Sequence, residues 1–95
     1  MFVVLLTYRR PIEDVEKFLA EHIEFLNAQY DAGVFMASGR RNPRTGGVIL
    51  ASGVERDVLE QILERDPFKR ERIADYEVVE FVPTKMKAGF EAFVG

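Results

Sequence analysis

The chain opens on a strand-like run that tolerates water on neither side, and this restricts everything that follows. Phe2, Val3, Val4, Leu5 and Leu6 lead without interruption into Thr7 and Tyr8. Successive side chains of a strand point to opposite faces. Phe2, Val4 and Leu6 therefore share one side, and Val3 and Leu5 the other. Both sides are apolar, so the strand has to be covered twice. Val34 to Gly39 repeats the problem, with Val34 and Met36 set against Phe35 and Ala37. A chain of 95 residues is expected to form one domain, residues 1–95, with few elements to supply both covers.

Between these two strands, apolar residues recur at helical spacing: Val15, Phe18, Leu19, His22, Phe25 and Leu26. The pattern predicts one helix from about Ile12 to Ala32. Pro11 suits its first position, Glu13 and Asp14 complement its positive end, and Gly33 stops it. Arg40 to Gly47 is turn chemistry, and Val48 to Ala51 reads as a third strand, antiparallel to the second. Ser52 and Glu55 have the spacing of a capping box, with Ser52 as the cap. The helix that follows carries a stripe of Val58, Leu59, Ile62 and Leu63 and stops at Asp66-Pro67. Phe68 to Ile73 adds a short helical turn. Tyr76 to Val82 is a fourth strand, ended by Pro83. The tail from residue 85, with Phe90 and Phe93, has no clear pattern and is a candidate for packing at an interface.

The order β-α-β-β-α-β is the split-βαβ, ferredoxin-like arrangement, an α+β fold. It puts both helices on one face of a four-stranded antiparallel sheet and leaves the other face open. An apolar sheet face left open marks an interface. A twofold partner packing the same face is the simplest cover, so a homodimer is expected.

Composition narrows the function classes. A net charge of −3 argues against nucleic-acid binding. The absence of cysteine excludes disulfides, thiolate nucleophiles and cysteine-held metals. With one histidine and no helical pairing of acids, no metal site and no cofactor are expected. The opening apolar run has no basic region before it and is too short for a signal or a membrane span. A cytoplasmic protein with no membrane contact is expected.

That single histidine, His22, falls on the apolar stripe. An imidazole there needs a hydrogen-bond partner or costs on the order of 1–3 kcal/mol. Histidine is also the side chain whose ordinary titration lies nearest neutrality. A satisfied structural histidine and an acid–base group are both open readings. The two helices run antiparallel from a shared edge, and roughly ten residues, about 15 Å, separate Ala32 from His22 and Glu55 from Arg65. Asp66 then comes level with His22, and a pair between them is geometrically permitted. Such a carboxylate would fix the imidazole tautomer and leave the other nitrogen as base. Asp66 before Pro67 is equally an ordinary helix cap. Ser38 and Gly39 close the second strand, either as a simple strand end or as a ligand contact. Tyr8 and Arg9 stand at the end of the first strand, where a pocket mouth would lie. Arg9, Arg10, Arg40, Arg41 and Arg44 could gather near one end of the sheet and attract an anion; solvated surface is the ordinary fate of such residues. Gly46-Gly47 lacks phosphate-loop context and reads as hairpin geometry.

Taken in order, Glu21-His22-Ile23-Glu24-Phe25-Leu26, Ser38-Gly39, Arg44-Thr45-Gly46-Gly47-Val48-Ile49, Asp66-Pro67-Phe68, Asp75-Tyr76-Glu77-Val78 and Phe81-Val82-Pro83 resemble the YciI-like (YCII-related) family of small bacterial proteins. The resemblance spans nearly the whole chain. It implies a dimeric α/β barrel of ferredoxin-like protomers and a pocket beside a paired His and Asp, matched here by His22 and Asp66. Many relatives carry proline after Ser-Gly, where this chain has Arg40, which changes both the turn and the local charge. One resembling group removes HCl from a chlorinated hydroxyhydroquinone without a cofactor. The wider superfamily holds muconolactone isomerases, cofactor-free monooxygenases and haem-degrading enzymes. The expectation is a small cofactor-independent lyase or isomerase acting on a cyclic or aromatic-derived molecule. In it His22 is the base, Asp66 its orienting partner, and Ser38, Gly39, Tyr8 and Arg9 are substrate contacts. The alternative is a non-catalytic small-molecule-binding or accessory module using the same pocket. Haem ligation by His22 is a third reading, drawn only from the superfamily.

Overall fold

A computed structural model describes residues 1–94. Its elements are β1 (Phe2–Tyr8), α1 (Ile12–Lys17), α2 (Leu19–Asp31), β2 (Phe35–Arg40), β3 (Gly46–Ala51), α3 (Arg56–Leu63), α4 (Pro67–Arg70) and β4 (Ala74–Glu80), followed by a 3₁₀ turn at Phe90–Phe93. The strands form one antiparallel sheet in the order β2-β3-β1-β4. This is the ferredoxin-like α+β architecture. The alternation in β1 resolves as composition requires. Phe2, Val4 and Leu6 are buried together with Ile49 and Ala51 of β3 against Leu59, Leu63, Phe25 and Phe68 of the helices. Val3 and Leu5 face the other way, paired with Leu50 and Val48, and β4 adds Val79 opposite Val3. These side chains remain partly exposed, Val79 by 42%.

The first helical segment is not continuous. Phe18 adopts φ −107°, ψ 4°, and its N–H bonds to Val15 O, three residues back instead of four. That single tight turn divides α1 from α2 and re-aims the stripe, so His22, Phe25 and Gln29 become the buried residues of α2. The far end closes as expected. Gly33 takes φ 77°, its N–H bonds to Tyr30 O, and Val34 N–H reaches Gln29 O, the paired bonds of a Schellman stop.

The capping box does not form. α3 begins at Arg56 with Glu55 at the cap position and no side-chain cap bond. Ser52 is buried, and its hydroxyl donates to Phe93 O at 2.8 Å, so it fastens the tail. Val58 is 40% exposed, and the buried face of α3 is Leu59, Ile62 and Leu63. β3 starts two residues earlier than the turn chemistry implies. Gly46 is where its backbone meets β1: a Cβ there would lie 1.7 Å from Leu6 O. The glycine serves close strand approach rather than the hairpin bend. β4 likewise begins early, at Ala74, and ends at Glu80.

Candidate functional site

Asp66 is the hub of the interior. It follows α3 and caps α4 in the way Asp-Pro predicts: Oδ1 accepts from Phe68 N–H at 3.0 Å, with Pro67 at the first helical position. The same oxygen lies 2.8 Å from His22 Nδ1. The Tyr76 hydroxyl, from β4, donates to Oδ2. The carboxylate is wholly buried, at 0% exposure, and a charge so placed needs all its donors. The cap and the histidine-partner readings of Asp66 therefore describe one residue with two duties.

His22 is held on three sides. Its ring stacks on Phe68 at 3.9 Å between centroids and 4° between planes, and lies 6.5 Å from the Phe25 ring. Tyr8 packs edge-on to the other part of this cluster, 6.2 Å from Phe68. Nδ1 facing a carboxylate oxygen carries the hydrogen, so Nε2 is the acceptor. Nε2 has no partner among the described residues, yet no sealed side-chain nitrogen or oxygen there is left unpartnered. It therefore opens outward, into a cavity of about 320 Å³ that His22 lines. The volume sits at the lower end of the range for small-ligand sites (about 300–1,000 Å³).

The cavity lies between α2 and the β2–β3 hairpin. Its apolar wall includes Leu6, Leu19, Ile23, Leu26, Ile49 and Phe68. Its polar groups are His22, Tyr8, Ser38, Arg40 and Arg44, together with the Gly39 backbone. Ser38 is held by a 2.6 Å hydrogen bond with Tyr30 from α2. Arg9 is placed elsewhere: it pairs with Asp75 on the far side of β1, beside Lys69 and Arg72. Arg10 turns to Asp14 and Arg41 to Thr7. The arginines thus disperse, and only Arg40 and Arg44 reach the cavity. Gly39 has nothing within 4 Å of a built Cβ, so no neighbouring part of the chain requires glycine there.

Sequence reasoning gave Tyr76 no site role, placing it only at the start of a strand and within the Asp75-Tyr76-Glu77-Val78 motif. The signal was available in the alternation, because Tyr76 lies opposite Leu6 and so faces the helices. Burial raises the Tyr76 pKa well above the ordinary phenol range, and the neighbouring Asp66 charge and the hydrogen bond to it raise it further. Tyr76 keeps its proton and is a fixed hydrogen-bond donor to Asp66. Among the described residues, no group of three or more His, Asp or Glu side chains gathers as a metal site, and no helix is long and apolar enough to cross a membrane.

No curated protein matches the chain. Among solved structures, 5-chloro-2-hydroxyhydroquinone dehydrochlorinase (TftG) from Burkholderia phenoliruptrix AC1100, in complex with 2,5-dihydroxybenzoquinone, is similar in fold. The TM-score is 0.71 at 16% identity, over 86% of this chain and 94% of that one. The YCII-related domain model matches residues 1–82. Strand order, the helices on one face and this match agree, and the chain belongs to the YCII-related domain family.

Proposed function

We propose that the chain is a cofactor-independent lyase or isomerase for a small cyclic or aromatic-derived molecule, with His22 as general base. The observation that carries this reading is a buried imidazole whose Nδ1 is committed to Asp66 and whose Nε2 opens into a cavity of ligand size. Nε2 takes a proton from a substrate O–H or C–H. The electron pair left behind either expels a leaving group as its anion or recaptures the proton at another position. Asp66 holds the neutral tautomer and stabilises the imidazolium, and such positioned transfer contributes typically ~10²–10⁴-fold. Phe68, stacked on the imidazole, fixes the ring plane. Ser38, Tyr8 and the Gly39 backbone are the groups that hold a substrate oxygen. Because Arg9 pairs with Asp75, it has no role in this reading.

A second copy of the chain covers the Val3, Leu5, Val48 and Leu50 face in this reading. Light scattering should give a dimer that Leu5→Lys converts to monomer, and an unchanged mass for that variant would reject the face.

The first probes are the dehydrochlorinase's own substrate and bound quinone. Chloride release from 5-chloro-2-hydroxyhydroquinone should depend on His22, and His22→Asn should reduce it at least ~10²-fold with the fold retained. Full turnover by His22→Asn removes the base assignment. Thermal stabilisation by 2,5-dihydroxybenzoquinone without any turnover favours a binding module instead.

A further inference from the structure

We propose that Arg40 and Arg44 form an anion subsite inside the His22 cavity, so that the ligand is a ring compound bearing a carboxylate or an equivalent single negative charge. The inference rests on the cavity reading above but concerns what binds, not how it reacts.

The charge pattern of the cavity carries it. The chain as a whole is acidic, with a net charge of −3. The residues lining the cavity nevertheless include two arginines and no aspartate or glutamate. Asp66 stands behind His22, wholly buried, and three donors already occupy its oxygens. Among the described residues, the arginines that pair with carboxylates are Arg9, Arg10, Arg44, Arg56 and Arg70. Arg40 is not one of them. Arg44 touches Glu16 through a single 3.8 Å contact between part-exposed groups, an ion pair of little worth. Among the described residues, its remaining donors have no partner.

Placement gives the subsite direction. Arg40 ends β2 on the register that faces the helices, two residues beyond Ser38. Arg44 comes from the loop that returns to β3 and reaches α1 through Glu16. Both cations thus sit at the hairpin end of a space whose inner wall is aliphatic and aromatic. A planar guanidinium presents paired donors that match a carboxylate's two oxygens. Field lines concentrated in a cleft with low-dielectric walls strengthen that preference. An apolar ring body against Phe68, Leu19 and Leu26, with its acid group toward Arg40, matches both the apolar wall and the cationic end of the space.

Benzoate and its neutral isostere benzamide test the proposal by titration calorimetry at low salt. Wild-type protein should bind benzoate at least tenfold more tightly, and the margin should shrink as NaCl is raised. Arg40→Gln should bring the two affinities together by weakening benzoate while leaving benzamide unchanged; Arg40→Lys should restore part of the margin. Arg44→Gln should have a smaller effect in the same direction. Equal binding of the two probes by wild-type protein overturns the subsite. So does a benzoate preference that survives Arg40→Gln and Arg44→Gln together, or failure of both probes to bind. His22→Asn should keep the benzoate preference. Loss of turnover in that variant with the preference intact separates the base assignment from this one, and loss of the preference in His22→Asn assigns the anion to the imidazole and overturns the subsite.

Discussion

Removing the Asp66 carboxylate should separate its two duties from its shape. In Asp66→Ala, three donors lose their acceptor in the interior: Phe68 N–H, His22 Nδ1–H and the Tyr76 hydroxyl. Each stranded donor costs about 1–3 kcal/mol, with the low end suiting the rotatable Tyr76 hydroxyl. The Phe68 N–H bond is the helix cap itself, so the cap adds nothing further. A total of about 3–7 kcal/mol follows, its lower half being the range seen when one partner of a buried pair is deleted. A domain this size holds about 5–15 kcal/mol altogether. At roughly 4–8 °C per kcal/mol, the melting temperature should fall on the order of 20 °C. Asp66→Asn keeps an acceptor for Phe68 N–H and His22, and offers an amide N–H to a rotated Tyr76 oxygen. It should cost only about 1–2 kcal/mol. The chain has no tryptophan, so far-UV circular dichroism is the assay, in urea and at one protein concentration throughout. Alanine within 1 kcal/mol of wild type (about 2 °C per half kcal/mol), or asparagine as damaging as alanine, would refute the hub.

Two further expectations concern stability. Tyr76→Phe should cost about 1.5–3 kcal/mol at neutral pH, the worth of a hydrogen bond to a charged acceptor. Because the folded-state pKa of Tyr76 is raised above the unfolded value of about 10, its contribution is fully present below about pH 10 and is lost as pH climbs beyond. Urea midpoints at pH 8 and pH 11 should therefore converge for wild type and Tyr76→Phe at the higher pH, and a constant gap would contradict the sign. Gly46→Ala should abolish folding, since its Cβ would overlap Leu6 O, while Gly39→Ala, with open space around its Cβ, should change stability by under about 0.5 kcal/mol. Soluble, cooperative Gly46→Ala protein would show that the strands can part there.

The residues that make the fold are also the ones whose spacing announces it. Periodicity in β1 and α2 separates core-facing from outward-facing side chains before any coordinate is known. Asp66 met His22 because the stretch from Ala32 back to His22 and that from Glu55 forward to Arg65 cover equal numbers of residues from one edge, a relation that helix rise alone supplies. The break at Phe18 left no mark, since no glycine or proline stands there and a tertiary fit of the aromatic ring overrides local preference. Ser52 misled for a related reason: the capping pattern is local, whereas its hydroxyl answers to Phe93, 41 residues away. The five arginines share a composition but not a destination, because Asp75, Asp14 and Thr7 claim Arg9, Arg10 and Arg41. Side-chain partners of surface cations are set by whichever strand lies alongside, which no window of sequence contains.

The solitary imidazole has a practical consequence. With His22 the only ring of its kind in the chain, its nitrogen and carbon resonances need no assignment. A single acylation by diethyl pyrocarbonate at the outward Nε2 can arise from nothing else of that type. Occupancy of the space in front of it can thus be followed through one nucleus or one adduct, by the rate at which a bound molecule shields it.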